Sequence, residues 1–306
     1  TSGGTEADNL AIFGVGGHVV TTTMEHPAVL AASAQLSHTL VPVDGRGMVE
    51  PEAIRRALQP ETKLISVMHA NNETGAIQPI EAIARIAAEA GIALHSDGVQ
   101  AAGKIPIHVT ELGVALYSIS GHKIGAPKGV GALYVRKGTS IKPMIYGGRH
   151  ERERRGGTEN VAGAVALGRA MQWIREHGEA ENRRLGGLRD RLEQNIASRI
   201  ADTHVNGAGV PRVPNTSNIR FDGIDSDALL IALDLQGFAV SSGAACSSGA
   251  PEPSHVLLAM GLNRLEARSS IRFSLGRSNT VEQVDALADA LAASVARLRK
   301  LSPAYV

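Results

Sequence analysis

Through roughly the first 135 residues, short runs rich in aliphatic and β-branched side chains alternate with stretches whose apolar positions recur at helical spacing. The runs at 19–22, 39–43, 64–68, 92–95, 115–119 and 132–135 read as strands. Alternation of this kind predicts a mainly parallel sheet covered by helices. Pro27 and Pro51 stand where a first helical turn tolerates proline, and Pro79 opens a helical segment that runs to Gly91. Leu185, Leu188, Leu192, Ile196 and Ile200 then repeat at helical spacing, which places a long amphipathic helix after the sheet. Beyond it the pattern predicts a strand at 216–221, a helix at 226–236 and a strand at 269–274. A closing helix shows a capping box at Thr280 and Gln283 and an apolar stripe through Val284, Leu287, Leu291, Val295 and Leu298. The pattern divides the chain into a large α/β domain, 1–180, and a smaller α/β domain, 181–306.

Composition narrows the function classes. The 306 residues carry a net charge of +1 with both signs interspersed, and aromatics make up 3%. Neither a basic footprint nor stacking platforms point to nucleic acid. No apolar stretch approaches the roughly 20 residues that span a bilayer. A single cysteine excludes an intrachain disulfide framework, so a soluble, cytoplasmic protein is expected.

Candidate chemistry lies at a few points. Cys246 stands among small residues from Ser241 to Gly249, a setting that suits an exposed, reactive thiol as well as it suits a plain tight turn. Gly3-Gly4-Thr5 opens onto a helix whose unpaired N–H groups suit a phosphate, although such turns more often simply reverse the chain. Gly14-Val15-Gly16-Gly17 lacks the context of a dinucleotide fingerprint and reads as a turn. Asp97 follows the strand 92–95, and Lys123 follows another strand, at the sheet rim where ligands of parallel sheets gather. Read alone, the two are most simply an ion pair. Joined to a phosphate cradle, they match what pyridoxal 5'-phosphate requires: a Schiff-base lysine, an acid on the ring nitrogen and a phosphate site. His18, His38, His177 and His204 fall in no ligand spacing, so no metal is expected. Glu151 to Arg155 reads as a solvated charge run.

At this point a family resemblance becomes specific. The segments TSGGTEADNLAI, TTTMEHPAVL, SVMHANNETG, LHSDGVQAAGK, SISGHKIGAPKGVGALYV, GGRHERERRGGTEN, PNTSNI, SSGAACSSGAPEPSHVL and SSIRFSLGR occur in the order found in cysteine desulfurases of the NifS/IscS type. The sequence resembles that family, within the class-V aminotransferases and the fold-type I pyridoxal-phosphate enzymes. The resemblance implies an aspartate aminotransferase-like fold. It also implies that a family N-terminal segment before Thr1 is missing.

The resemblance further implies roles. Lys123 would hold the cofactor and move a proton at the substrate α-carbon, and Asp97 would keep the ring nitrogen protonated. Gln100 would bond the ring oxygen and His26 would stack on the ring. Gly4, Thr5, Ser120 and His122 would hold the phosphate, with Thr158 reaching in from the other subunit of a homodimer. Asn71 would lie beside ring and substrate. Arg272, alternating with Ile271 and Phe273 on a strand, would fork onto the carboxylate of L-cysteine. Cys246 would take the substrate sulfur as a persulfide and pass it to an iron–sulfur scaffold or another acceptor protein. Gly125-Ala126 departs from the family's usual spelling after the lysine, and a local adjustment is expected there. The alternatives are a selenocysteine lyase, and an inactive fragment or sulfur-relay module.

Overall fold

The structure is a computed structural model and describes residues 1–242 and 252–301. Two compact units are present. One comprises Thr1–Val43, Met48–Asn71 and Ile77–Glu179; the other comprises Asp44–Gly47, Asn72–Ala76 and Ala180–Val306. The two short segments that join the second unit from early in the chain escape any division made at a single point.

In chain order the first unit contains α1 (Gly4–Val15), β1 (His18–Thr22), α2 (Pro27–Ser33), β2 (His38–Val41), α3 (Pro51–Ala57), β3 (Thr62–Ser66), α4 (Ile80–Ala90), β4 (Ala93–Asp97), β5 (Leu116–Ser120) and β6 (Gly131–Val135). The sheet has the order β2-β1-β3-β4-β5-β6, parallel from β2 to β5 and closed by antiparallel β6. Strand alternation sends Val20, Ile65 and Leu94 into one core, with Ile54 of α3 and Ile80 and Ile83 of α4. Val19, Leu64 and Leu116 enter the opposite core, with Ile12 of α1 and Val29 of α2. A sheet covered on both faces follows from strands that are apolar on both sides.

Pro27 and Pro51 occupy the first helical turns of α2 and α3, and Gly91 closes α4 in the left-handed conformation (φ 67°, ψ 24°). Two local expectations change. Gly14 and Val15 belong to α1, and the turn begins only at Gly16, with φ 67°. Asp97 is the last residue of β4 instead of following the strand.

α5 (Val161–Arg199) is one helix whose second half belongs to the second unit. β7 (Thr203–Val205), β8 (Thr216–Phe221), α6 (Ser226–Asp234), α7 (His255–Ala259), α8 (Arg264–Arg268), β9 (Ser270–Ser274) and α9 (Val281–Leu301) complete that unit. Its antiparallel sheet runs β7-β8-β9. The stripe from Leu185 to Ile200 packs against Ile219, Phe221, Ile271 and Phe273 and against Val284, Leu287, Leu291 and Val295. The capping box of α9 forms: the Gln283 N–H donates to Thr280 Oγ1 at 3.3 Å, and the Thr280 N–H donates to Gln283 Oε1 at 3.2 Å. A second box, Asn263 with Glu266, starts α8.

Candidate functional site

The N-terminus of α1 meets the end of β5. Gly3 precedes the helix without a side-chain cap, so the first-turn N–H groups at Gly4 and Thr5 are not taken by a capping side chain. Close packing fixes this turn. A Cβ on Gly4 would lie 2.7 Å from Val99 Cγ2, and one on Gly131 would lie 2.7 Å from Gly3 Cα. Ser120, buried at the end of β5, has its Oγ 2.9 Å from His122 Nδ1. Burial, then the charges of Lys123 and Lys128, hold His122 below the usual histidine range. It is therefore neutral near pH 7 and can share hydrogen bonds with an anion. Ser120, His122 and the α1 N-terminus together suit an anion.

Asp97 ends the neighbouring strand and is 6% exposed. Its Oδ1 accepts the Val99 N–H at 2.9 Å. Burial raises its pKa to about 6, against the lowering effect of that N–H and of the Lys123 ammonium. Its backbone is fixed as well, because the His69 N–H donates to the Asp97 carbonyl at 2.9 Å. Lys123 ends the 3-10 turn Gly121–Lys123 that follows β5. Gln100 accepts through Oε1 from Lys104, which commits its carbonyl oxygen and leaves its amide as the group to donate elsewhere.

His26 caps α2, its Nδ1 accepting the Ala28 N–H at 3.1 Å. That bond makes Nδ1 the acceptor of a neutral ring. The helix-entry role of this histidine is real, and the residue is partly exposed. Asn71 is buried and donates to the Met24 carbonyl at 3.2 Å. Thr158 is exposed, on the wall of a cavity of about 760 Å³ shared with Thr1, Ser2, Val130 and Asn160; Asp97, Gln100 and Lys123 do not line that cavity.

In the expected solvated run at Glu151 to Arg155, Glu151, Arg152 and Glu153 are exposed, and Arg154 and Arg155 are partly buried. Arg155 Nε donates to Glu6 Oε1 of α1 at 3.0 Å, both partly buried. Glu151, Arg152 and Glu153 all take positive φ, at 47°, 58° and 65°. Three consecutive non-glycine residues in that region carry backbone strain.

In the second unit, Arg272 sits between buried Ile271 and Phe273 on β9, itself half-buried, as the strand alternation requires. Its Nη1 donates to the Asn72 carbonyl at 3.1 Å and its Nη2 to Ser241 Oγ at 3.4 Å, while Nε is buried with no hydrogen-bond partner among the described residues. The Arg272 charge also acts on the buried Glu73 carboxyl. Cys246 lies outside the described residues.

The sequence reading missed a buried polar group beneath the site: Asp8, Glu25, Ser66, His69, His95, Tyr117 and Ser118. The signal available for it was slight, namely polar residues at Ser66, His95 and Ser118 within strands that otherwise read as apolar. Burial raises Glu25 to about 8, although it accepts from the Met68 N–H and from Thr22 Oγ1. Burial lowers His69 to about 4 and His95 to about 3.

Pyridoxal phosphate fits these residues. The α1 terminus suits a phosphate. Asp97 receives, among the described residues, a single backbone N–H, so as a carboxylate it retains capacity for a cationic ring N–H. Lys123 stands close enough to Asp97 for their charges to interact. No cluster of metal-ligating side chains occurs among the described residues.

The chain is similar to known proteins over most of its length. Residues 1–287 match the family Aminotransferase class-V. The chain is 47% identical to a cysteine desulfurase of Gluconacetobacter diazotrophicus over 99% of its length and 79% of that protein. It superposes on a NifS-like protein of Rickettsia africae with a TM-score of 0.89 and 34% identity, over 96% of this chain and 80% of that one. A structure of SspA in complex with cysteine matches with a TM-score of 0.78 and 33% identity, covering 90% and 80% of the respective chains. The chain belongs to the class-V aminotransferase family and, within it, to the cysteine desulfurases.

Proposed function

We propose that the chain converts L-cysteine to L-alanine and passes the substrate sulfur to Cys246 as a persulfide. The observation that carries this reading is the convergence of Asp97, Lys123 and the α1 N-terminus at the ends of β4 and β5. The family depends on pyridoxal phosphate, which when bound supplies an electron sink for the α-carbon of an amino acid.

The chain's own residues supply the rest. Gly4 and Thr5 donate backbone N–H groups to the phosphate, joined by Ser120 and His122, with Thr158 contributed by the second copy in a homodimer. Asp97 holds a proton on the ring nitrogen, Gln100 donates its amide to the ring oxygen, and His26 covers the ring face. Lys123 anchors the cofactor and, once displaced, carries the proton to and from the α-carbon. Asn71 orients the substrate, and Arg272 takes its carboxylate; the geometry of a guanidinium, which forks onto a carboxylate, supports that role. SspA, a relative solved with cysteine, supports the substrate class.

The carbon–sulfur bond of L-cysteine breaks and a sulfur–sulfur bond to Cys246 forms; the substrate carbon is reduced, the sulfur is oxidised, and the thiol proton remains with the products. An acceptor protein, such as an iron–sulfur scaffold, then takes the sulfur. A lone thiol with this role requires reducing surroundings, which supports the cytoplasm. Among the described residues no helix is long and apolar enough to cross a membrane.

The test incubates the chain with pyridoxal phosphate, L-cysteine and a thiol reductant, and measures alanine and sulfide together. Equal, cofactor-dependent amounts support the reading. A chain that binds the cofactor yet forms neither product overturns it.

A further inference from the structure

Three buried carboxyl groups, Asp8, Glu25 and Asp97, interact within the first unit. The row of side chains beneath Asp97 is continuous. Ser66 pairs with His95 across β3 and β4, and Asp97 pairs with Ser118 across β4 and β5. His95 and Asp97 are two residues apart, so they share a sheet face. His95 Nδ1 lies 2.9 Å from Ser66 Oγ, and His95 Nε2 lies 2.9 Å from Ser118 Oγ. Over this row α1 places Asp8, one helical turn beyond Gly4, with Oδ1 3.6 Å from His95 Nε2. Asp8 is 1% exposed, and its Oδ1 has no hydrogen-bond partner among the described residues.

The groups facing Asp8 are His95 and Asp97 from β4, Ser118 from β5 and Glu25 from the turn after β1. None of them is a cation, because burial keeps His95 neutral. Asp97, in contrast, has the Val99 N–H and, in the cofactor-free chain, the Lys123 ammonium to support a negative charge; with the cofactor bound, the ring N–H would take the place of that ammonium. Like charges cannot both persist in so dry a setting, and the carboxyl without a counter-charge takes the proton.

We propose that Asp8 is a positioning residue that keeps the proton of the Asp8–Asp97 pair, so that Asp97 remains the ionised member facing the ring nitrogen. The inference rests on the assignment of Asp97 as the ring-nitrogen partner. Burial and the charges of Asp97 and Glu25 push Asp8 well above the usual carboxylate range, in the same sense.

The row has two self-consistent hydrogen arrangements. With Asp8 neutral, its O–H donates to Ser118 Oγ, Ser118 donates to His95 Nε2, and His95 Nδ1–H donates to Ser66. With Asp8 ionised, every bond reverses: Ser118 donates to Asp8, His95 Nε2–H donates to Ser118, and Ser66 donates to His95 Nδ1. The tautomer of His95 therefore reports the protonation of Asp8.

The experiment is nitrogen NMR of the histidine-labelled chain at neutral pH, with and without pyridoxal phosphate, the His95 signals being assigned by their loss in H95Q. The expected result is the Nδ1–H tautomer in both forms. It is retained in D8N, whose amide donates where the acid O–H did. Raising the pH converts the wild type to the Nε2–H tautomer and leaves D8N unchanged. An Nε2–H tautomer in the wild type at neutral pH overturns the proposal, and that measurement needs no variant of Asp8. If the chain develops no visible cofactor band while His95 shows the Nδ1–H tautomer, the cofactor reading fails and the protonation of Asp8 stands.

Discussion

The Tyr117 side chain occupies the space that a Cβ at Gly98 would need: such an atom would lie 2.0 Å from Tyr117 Cε1 and 2.4 Å from its Oη. The tyrosine is itself pinned, its hydroxyl 2.8 Å from His69 Nδ1, while the His69 N–H holds the Asp97 carbonyl. The residue after the acid must therefore be glycine if the acid is to keep its place. G98A is expected to cost about 1–3 kcal/mol of stability through overpacking. It should also weaken cofactor retention, as read by urea unfolding and by cofactor loss on dialysis.

Replacing the acid tests the electron-sink assignment. D97N keeps the shape and can still accept the Val99 N–H, but it cannot hold a proton on a ring nitrogen. Turnover is expected to fall on the order of 100-fold or more while the cofactor still binds, with an altered visible spectrum. Turnover within a factor of two of wild type would remove Asp97 from the mechanism.

Cys246 is expected to separate binding from sulfur transfer. C246A should keep the visible cofactor band and lose sulfide release, because the nucleophile is gone and the cofactor site lies in other residues. Sulfide formed at the wild-type rate would refute the persulfide role.

Arg272 offers a test that divides binding from chemistry. R272A is expected to raise KM for L-cysteine roughly 10- to 100-fold, the loss of one charge-assisted fork, with a smaller effect on kcat. R272K should recover only part of this, since an ammonium cannot fork. An unchanged KM in R272A would assign the arginine to its bonds with Asn72 and Ser241 instead.

Glu25 sets a pH dependence of stability. Its pKa rises from 4.5 to about 8 on folding, so between those values the folded state binds more protons than the unfolded state. Stability attributable to Glu25 is thus present below about 4.5 and is lost as pH rises toward about 8. E25Q cannot ionise, and its amide oxygen can still accept from Met68 and Thr22. Its advantage over wild type should grow through that window to roughly 5 kcal/mol, measured as unfolding free energy against pH. A constant difference across the window would place Glu25 ionised in the folded chain.

Elements made by local periodicity were legible before any coordinates. The stripe from Leu185 to Ile200, the Thr280–Gln283 box and the prolines of α2 and α3 depend on neighbours within a few residues, and each appears where the pattern puts it. Chemistry written as contiguous motifs was legible too, because a strand that ends on Asp97, or on Ser120 with Gly121 through Lys123 after it, carries its position with it to within a residue or two.

The sequence by itself determined the family, the alternation that builds the sheet, and the residues at the strand ends. Tertiary structure alone decided what lies beneath them. Asp8, Glu25, His95 and Ser118 come from separate elements, and no spacing relates them; only strand pairing and the seating of α1 bring them together. Likewise the antiparallel setting of β6 and the assignment of Asn72–Ala76 to the second unit follow from long-range packing. The reason is physical: periodicity encodes which face of an element is buried, whereas the energy of a buried charge depends on which other elements meet it there.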